Sequence, residues 1–185
     1  RVPDSNKIVA EKKFVSASRV PPGFTCCATT ANGDIVVGTK DGQVRLYDGK
    51  LMVKGNLDTA AGDRIPPAKT SYVSMGDPVL GIDVTQDGAW IVATYQTYLM
   101  LIRAIDETGQ SGYKKSLGSR KRMICLKLKP RHIIVLGGDV HFTPAKFDMG
   151  DSTEKSIVTS SGHYVITWNF EKAIRNRTEF YRVVG

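Results

Sequence analysis

"SSGHYVITWNF", residues 160–170, is the stretch whose reading decides the fold. A polar turn, Ser160-Ser161-Gly162-His163, runs into a short strand of β-branched and aromatic residues that ends at Trp168-Asn169. Just upstream, "SIVTSS" (156–161) has the same β-branched character, so the two segments predict an antiparallel hairpin closed at Gly162-His163. A lone hairpin is not stable in water, and the sequence must supply further strands to cover its apolar side.

It does so by repetition. "FTCCATTANGDIVVGTKDGQVRLYD" from Phe24, "VLGIDVTQDGAWIVATYQTYLMLIR" from Val79 and "FTPAKFDMGDSTEKSIVTSSGHYVITWNF" from Phe142 are three copies of one pattern. The first two align without a gap, with Asn32-Gly33 on Asp87-Gly88, Gly38 on Ala93 and Tyr47 on Ile102. The third needs a longer first turn, "DMGDSTEK", after which Thr159 takes the place of Gly38 and Trp168 that of Tyr47. Each copy reads strand, polar turn, short β-branched strand, tight turn, and a strand ending in a large apolar residue. Asn32-Gly33 and Asp87-Gly88 tolerate positive φ at the first turn; Asp41-Gly42 and Gly162-His163 mark the second. Small residues after the valines of "DIVVGT", "WIVATY" and "SIVTSS" let neighbouring sheets approach closely.

Repeats of this length fit the four-stranded antiparallel blades of a WD-repeat-like β-propeller. "TKDGQVRLYD" carries the turn signature of a WD repeat, in which Asp41 holds the turn between the second and third strands. Gln96 and Gly162 stand at the matching positions, and the Gly-His pair that opens a WD repeat is missing from all three copies. The fold class is therefore all-β, with about three blades plus a lead-in strand. Residues 1–22 are read as that strand, centred on "NKIVAEKKFV" (6–15), with a linker. Residues 23–185 form the repeats, divided at about 23–76, 77–140 and 141–185. Ile35, Val37, Val44, Leu46, Ile91, Leu99, Leu101, Ile157, Val165 and Trp168 are the predicted core. "NFEKAIRNRTEF" is expected to be a loop or a single helical turn before a last strand in "FYRVVG". Three blades cannot close a ring, so exposed sheet edges and self-association, or docking of further blades, are expected.

Composition is that of an ordinary globular domain, 41% hydrophobic and 24% charged, with no apolar run long enough to span a membrane and no signal segment. A soluble intracellular protein is the expectation. Cys26, Cys27 and Cys125 lack ligand spacing and are read as reduced core residues. The net charge of +8 concentrates in "KKSLGSRKRMICLKLKPR" (114–131), where eight Lys or Arg meet no acidic residue. Two readings stand: a solvated connection leading into a lysine-protected edge strand, or an association patch made by Lys114, Lys115, Arg120, Lys121 and Arg122. Its partner would be an acidic protein surface or, by peripheral contact, an anionic membrane. No nucleic-acid motif surrounds it. The stretch "NLDTAAGDRIPPAKTSYVSMGDP" (56–78) is poorly suited to a strand and is read as a long connection, either disordered or ordered only against a partner.

Catalytic signals are thin. His132, His141 and His163 are not spaced as metal ligands, and His141 reads as a core or turn hydrogen-bonder. "LGGDV" (136–140) lacks the Lys and Ser/Thr of a phosphate loop. Asp83, Asp87, Asp139, Asp148 and Asp151 are dispersed among turns. The sequence points to no enzyme, no cofactor and no metal. A hydrolase or lyase with residues gathered in a central channel, and electrostatic binding of acidic lipid or RNA through 114–131, are the alternatives.

"DPVLGIDVTQDGAWIVATYQTYLMLI" (77–102), "HFTPAKF" (141–147) and "SIVTSSGHYVITWNF" (156–170) together resemble the C-terminal WD-like domain of the vacuolar import and degradation family Vid twenty-seven and its plant relatives, the defective-embryo-and-meristem or Cypro proteins. The resemblance covers most of residues 23–170 in order. A rigid propeller presenting its loops, without a catalytic constellation, is read as a non-catalytic protein-interaction scaffold; to this the resemblance adds a longer parent protein, a cytoplasmic setting, a link to vesicle-borne degradation in fungi, and contact with the small GTPase Ran in plants.

Overall fold

A computed structural model describes residues 23–50, 67–148, 154–175 and 180–185. The lead-in strand at 6–15, the connection at 56–66 and Asp151 lie outside the described residues. Among these residues, twelve strands form three four-stranded antiparallel sheets. The first holds β1 (Phe24–Thr29), β2 (Ile35–Thr39), β3 (Gln43–Tyr47) and β4 (Thr70–Val73). The second holds β5 (Gly81–Val84), β6 (Trp90–Thr94), β7 (Leu99–Arg103) and β8 (Arg122–Leu126). The third holds β9 (Lys146–Asp148), β10 (Ser156–Ser161), β11 (Tyr164–Asn169) and β12 (Tyr181–Val184). In every sheet the strands pair in chain order. These are the blades that the repeats predict. Of their first strands, β5 neighbours both β1 and β9, and turns alternate between two faces of the array. We call hairpin face the one carrying the β1–β2, β5–β6 and β7–β8 connections, and crossover face the other.

Two apolar layers hold the blades together. Val36, Val44, Leu46 and Tyr72 of blade 1 pack against Ile82, Ile91, Met100 and Ile102 of blade 2. Val92, Leu99, Leu101 and Leu126 of blade 2 meet Phe142, Phe147, Ile157 and Trp168 of blade 3. Because successive strand residues point to opposite faces, each central blade needs two apolar faces, which explains why "WIVAT" and "LMLI" are apolar throughout rather than alternating. Trp168 is fully buried, edge-on to Phe142 at 5.7 Å between ring centroids. The blades approach closely at Gly38, where an added Cβ would lie 2.7 Å from both Cys26 Sγ and a Val79 methyl.

Asn169, where a WD repeat would carry Asp, caps α1 (Phe170–Ile174): its side-chain oxygen accepts from the Lys172 N–H at 2.9 Å. This is the short turn expected from "NFEKAIRNRTEF", and β12 follows as expected. A second short helix, α2 (Pro130–Val135), lies earlier in the chain, in the β8–β9 connection, with Pro130 in its first turn.

The structure corrects four readings. Ungapped alignment places Gly38 on Ala93, but the sheet registers place it on Thr94. Residues 30–34 separate the paired Thr29 and Ile35, whereas 85–90 separate Val84 and Ile91, so the first turn of blade 2 is one residue longer. Its second turn is one residue shorter, 95–98 between Thr94 and Leu99 against 39–43 between Gly38 and Val44, and the two changes cancel in the alignment. Of the predicted core, Val165 is exposed, on the blade 3 face turned away from blade 2, and Ile35 is half-buried. Cys27 and Cys125 are exposed and Cys26 half-buried, so only Cys26 packs toward a core. Finally, "TSYV" within 56–78 is a strand, β4: Thr70 and Tyr72 are buried against blade 2, and pairing with β3 overrides the local composition.

Candidate functional site

On the hairpin face, a cleft of about 370 Å³ opens between blades 1 and 2. The β1–β2 turn supplies Thr30, Asn32 and Asp34, the β5–β6 turn Asp87 and Gly88, and the β7–β8 connection Ser111, Tyr113 and Lys114. Each turn is shaped by its own side chains. Thr30 Oγ1 accepts from the Asp34 N–H at 3.0 Å, and Thr85 Oγ1 from the Trp90 N–H at 3.0 Å. Asp87 Oδ1 accepts from the Thr85 hydroxyl and the Ala89 N–H. Tyr113 is buried beneath the cleft and donates to the Gly88 carbonyl at 3.2 Å; burial pushes its hydroxyl pKa up.

Lys114 crosses from blade 2 to blade 1. Its Nζ lies 2.5 Å from Asp34 Oδ1 and 3.0 Å from Asp48 Oδ1. The Asp34 carboxylate, with Asp48 adding to it, raises the Lys114 pKa above its ordinary value, and the Lys114 hydrogen bond lowers that of Asp48. Asp34 is nearly buried and also accepts from the Gly49 N–H at 3.2 Å. The cleft is thus braced by charges that satisfy one another.

The five residues of the predicted patch separate into different environments. Lys114 is the inter-blade brace. Arg120 pairs with the buried Asp106 at 2.6 Å, whose carboxyl is held low first by the Thr108 hydroxyl and then by backbone N–H groups and Arg120. Arg122 donates to the Ile174 carbonyl of blade 3 at 3.0 Å and lies 4.0 Å from Glu107. Lys121 donates to the Ser71 carbonyl at 3.1 Å and stands over the Tyr72 ring. Lys115 is exposed, with no ion pair among the described residues. Spacing in the sequence could not reveal that Asp34, Asp48 and Asp106 meet this segment, because the first two come from blade 1 and the third from an earlier turn of the β7–β8 connection.

Two of the carboxylates weighed for chemistry, Asp83 and Asp139, are also engaged. Asp83 accepts from the Phe147 N–H at 2.8 Å across the blade 2–blade 3 boundary, and Asp139 pairs with His141 at 3.0 Å. His141 is exposed and bonds Gln96 at 2.9 Å, so it is a turn residue and not a core one. Asp41 accepts from the Thr39 hydroxyl and from Gln43 Nε2 at 2.8 Å, on either side of the β2–β3 turn. No group of three or more His, Cys, Asp or Glu suited to a metal occurs among the described residues. No helix among them is long and apolar enough to cross a membrane.

Residues 1–184 match the family model described as the VID27 C-terminal WD40-like domain. The chain belongs to the VID27 family. It is 34% identical over 191 residues to vacuolar import and degradation protein 27 of Schizosaccharomyces pombe, and 29% identical over 188 residues to that of Saccharomyces cerevisiae. Those alignments take in 97% and 96% of this chain and 22% of each relative, so the VID27 segment in hand spans about a fifth of the curated relatives it matches. Solved structures similar to it are β-propellers. The Cps50 (Swd1) propeller domain of Myceliophteria thermophila gives a TM-score of 0.58 at 11% identity, covering 94% of this chain and 46% of that one. The RRP9 WD40 repeats give 0.55 at 10% identity, covering 89% and 39%. At these identities the likeness shows the fold alone, and the VID27 domain is a WD40-like propeller.

Proposed function

We propose that the chain is a non-catalytic protein-interaction domain, acting in the cytoplasm in vesicle-linked delivery of proteins for vacuolar degradation. One observation supports the reading most. Lys115 in the β7–β8 connection, and Lys121, Lys127 and Arg131 flanking the outer strand of blade 2 in sequence, stand exposed with no acidic partner among the described residues, while Lys114 and Arg120 are held by Asp34, Asp48 and Asp106. A rigid propeller whose internal charges are matched, with a cationic strip left over at its rim, suits an acidic protein surface. The relatives' name, vacuolar import and degradation, suggests the process. A small GTPase of the Ran type, with an acidic tail, is a partner of fitting chemistry.

The test is capture of cytosolic proteins at physiological salt by the wild type and by the variant Lys115→Glu/Lys121→Glu/Lys127→Glu/Arg131→Glu, which leaves the paired cations in place. The expected result is loss of the captured set and, for the wild type, capture that weakens with salt. An unchanged set, with the variant folded, would overturn the cationic surface. Retention by phosphatidylserine vesicles or RNA with no protein captured would favour the electrostatic alternative.

A further inference from the structure

The outer strand β8 is amphipathic in an unusual sense. Its residues pointing toward blade 3 are committed: Ile124 and Leu126, with Leu128 beyond the strand, pack in the second apolar layer, and Arg122 reaches Ile174. The alternate set, Lys121, Met123, Cys125 and Lys127, faces the other way, into the groove between the outer strands of blades 1 and 2. The two lysines mark its ends: Lys121 Nζ lies 5.9 Å from the centroid of Tyr72, and Lys127 Nζ 5.5 Å from that of Tyr98. Between them Met123 is 43% exposed and Cys125 is exposed. No strand among the described residues pairs with the outer edge of β8, so its outward N–H and C=O groups are available to another strand.

Resting on the interaction-domain reading, we infer that this edge takes an extended segment of a partner protein as a fifth strand, with acidic residues at its two ends and apolar residues between. Strand addition gains affinity from main-chain hydrogen bonds and specificity from alternate side chains. Here those side chains read cation, apolar, apolar, cation, and the pattern is the same in either direction. A second copy of β8 is disfavoured, because it would set lysine against lysine in antiparallel pairing, whereas an acidic-ended strand pairs opposite charges at both positions. The exposed Met123 is a flexible apolar surface suited to partner side chains. Lys121 and Lys127 are uncompensated by any acid among the described residues, which selects this chemistry over a neutral strand.

The probes are two seven-residue peptides, acetyl-ETVTVTE-amide and acetyl-KTVTVTK-amide, added to the full 185-residue chain. The acidic-ended peptide is expected to slow amide hydrogen exchange at residues 121–127, leaving the inner strands β1, β5 and β9 unchanged, and to bind at least tenfold more tightly than the lysine-ended one. Lys121→Glu/Lys127→Glu should reverse that preference. Met123→Asp should weaken binding of the acidic-ended peptide without unfolding the chain, as judged by an unchanged melting temperature. Equal binding of the two peptides to the wild type, or no slowing at 121–127 with the acidic one at saturation, overturns the proposal without any variant. If Lys115→Glu/Arg131→Glu abolishes capture of cytosolic proteins while the acidic-ended peptide leaves 121–127 unprotected, the interaction-domain reading stands and strand addition at β8 falls.

Discussion

Lys114 Nζ of blade 2 sits 2.5 Å from the nearly buried Asp34 carboxylate of blade 1, and so joins two blades through a side chain rather than a strand. Replacing it by Met leaves the Asp34 carboxylate, which among the described residues otherwise accepts only from the Gly49 N–H, without its cation. Lys114→Met is expected to lower the melting temperature by about 2–5 °C, with Lys115→Met as the unchanged control. Equal melting temperatures for the two would refute the brace.

The Lys114–Asp48 pair sets a pH window. The Lys114 pKa is raised above its ordinary 10.5, so its contribution is present below that value and is lost as pH climbs through the folded-state pKa. The Asp48 pKa is depressed below 3.8, so its contribution is present above that value and is lost as pH falls through its folded-state pKa. The stability difference between wild type and Lys114→Met should therefore be flat across the neutral range and narrow at both extremes. Denaturant midpoints at acid, neutral and alkaline pH check this.

Trp168→Ala is expected to cost about 3–5 kcal/mol, as for other buried aromatic residues. Trp168→Phe should cost much less, because Nε1 is buried without a hydrogen-bond partner and its removal strands no acceptor. Chemical denaturation of both variants measures the difference; similar losses would mean that indole shape matters more than volume.

Gly38→Val should destabilise by about 1–3 kcal/mol, the cost of overpacking a close blade contact. Gly38→Val combined with Val79→Ala should recover part of the loss. A denaturation midpoint for the double variant no better than that of the single one would locate the strain elsewhere.

Asn169→Ala should cost about 1 kcal/mol through loss of the α1 cap, and Asn169→Asp should be near neutral, since aspartate caps equally well. Thermal melts decide between them.

The strands and the blade order could be read from the sequence because period-two patterning, turn glycines and the repeat itself are local signals. Gly33, Gly42, Gly88 and Gly162 all take positive φ at the predicted turns. What stayed hidden is what local signals do not carry. Thr70 and Tyr72 sit in a Pro- and Ala-rich stretch and become strand only because β3 offers them partners. Val165 has the composition of a core residue but lies on the blade 3 face turned away from blade 2. The basic segment looked uniform, yet Asp34, Asp48 and Asp106 divide it into paired and unpaired cations.

Every sheet is assembled from strands adjacent in the chain, inner strand first. The entropy cost of bringing strands together is therefore met mostly within one repeat, over short loops such as 30–34 and 95–98, and rises only slowly where a loop is long. Such a chain can form one sheet before the next exists, and each finished sheet offers its neighbour an apolar wall to assemble against. It also means that a whole repeat can be gained or lost between β4 and β5, or between β8 and β9, without re-pairing any strand that remains.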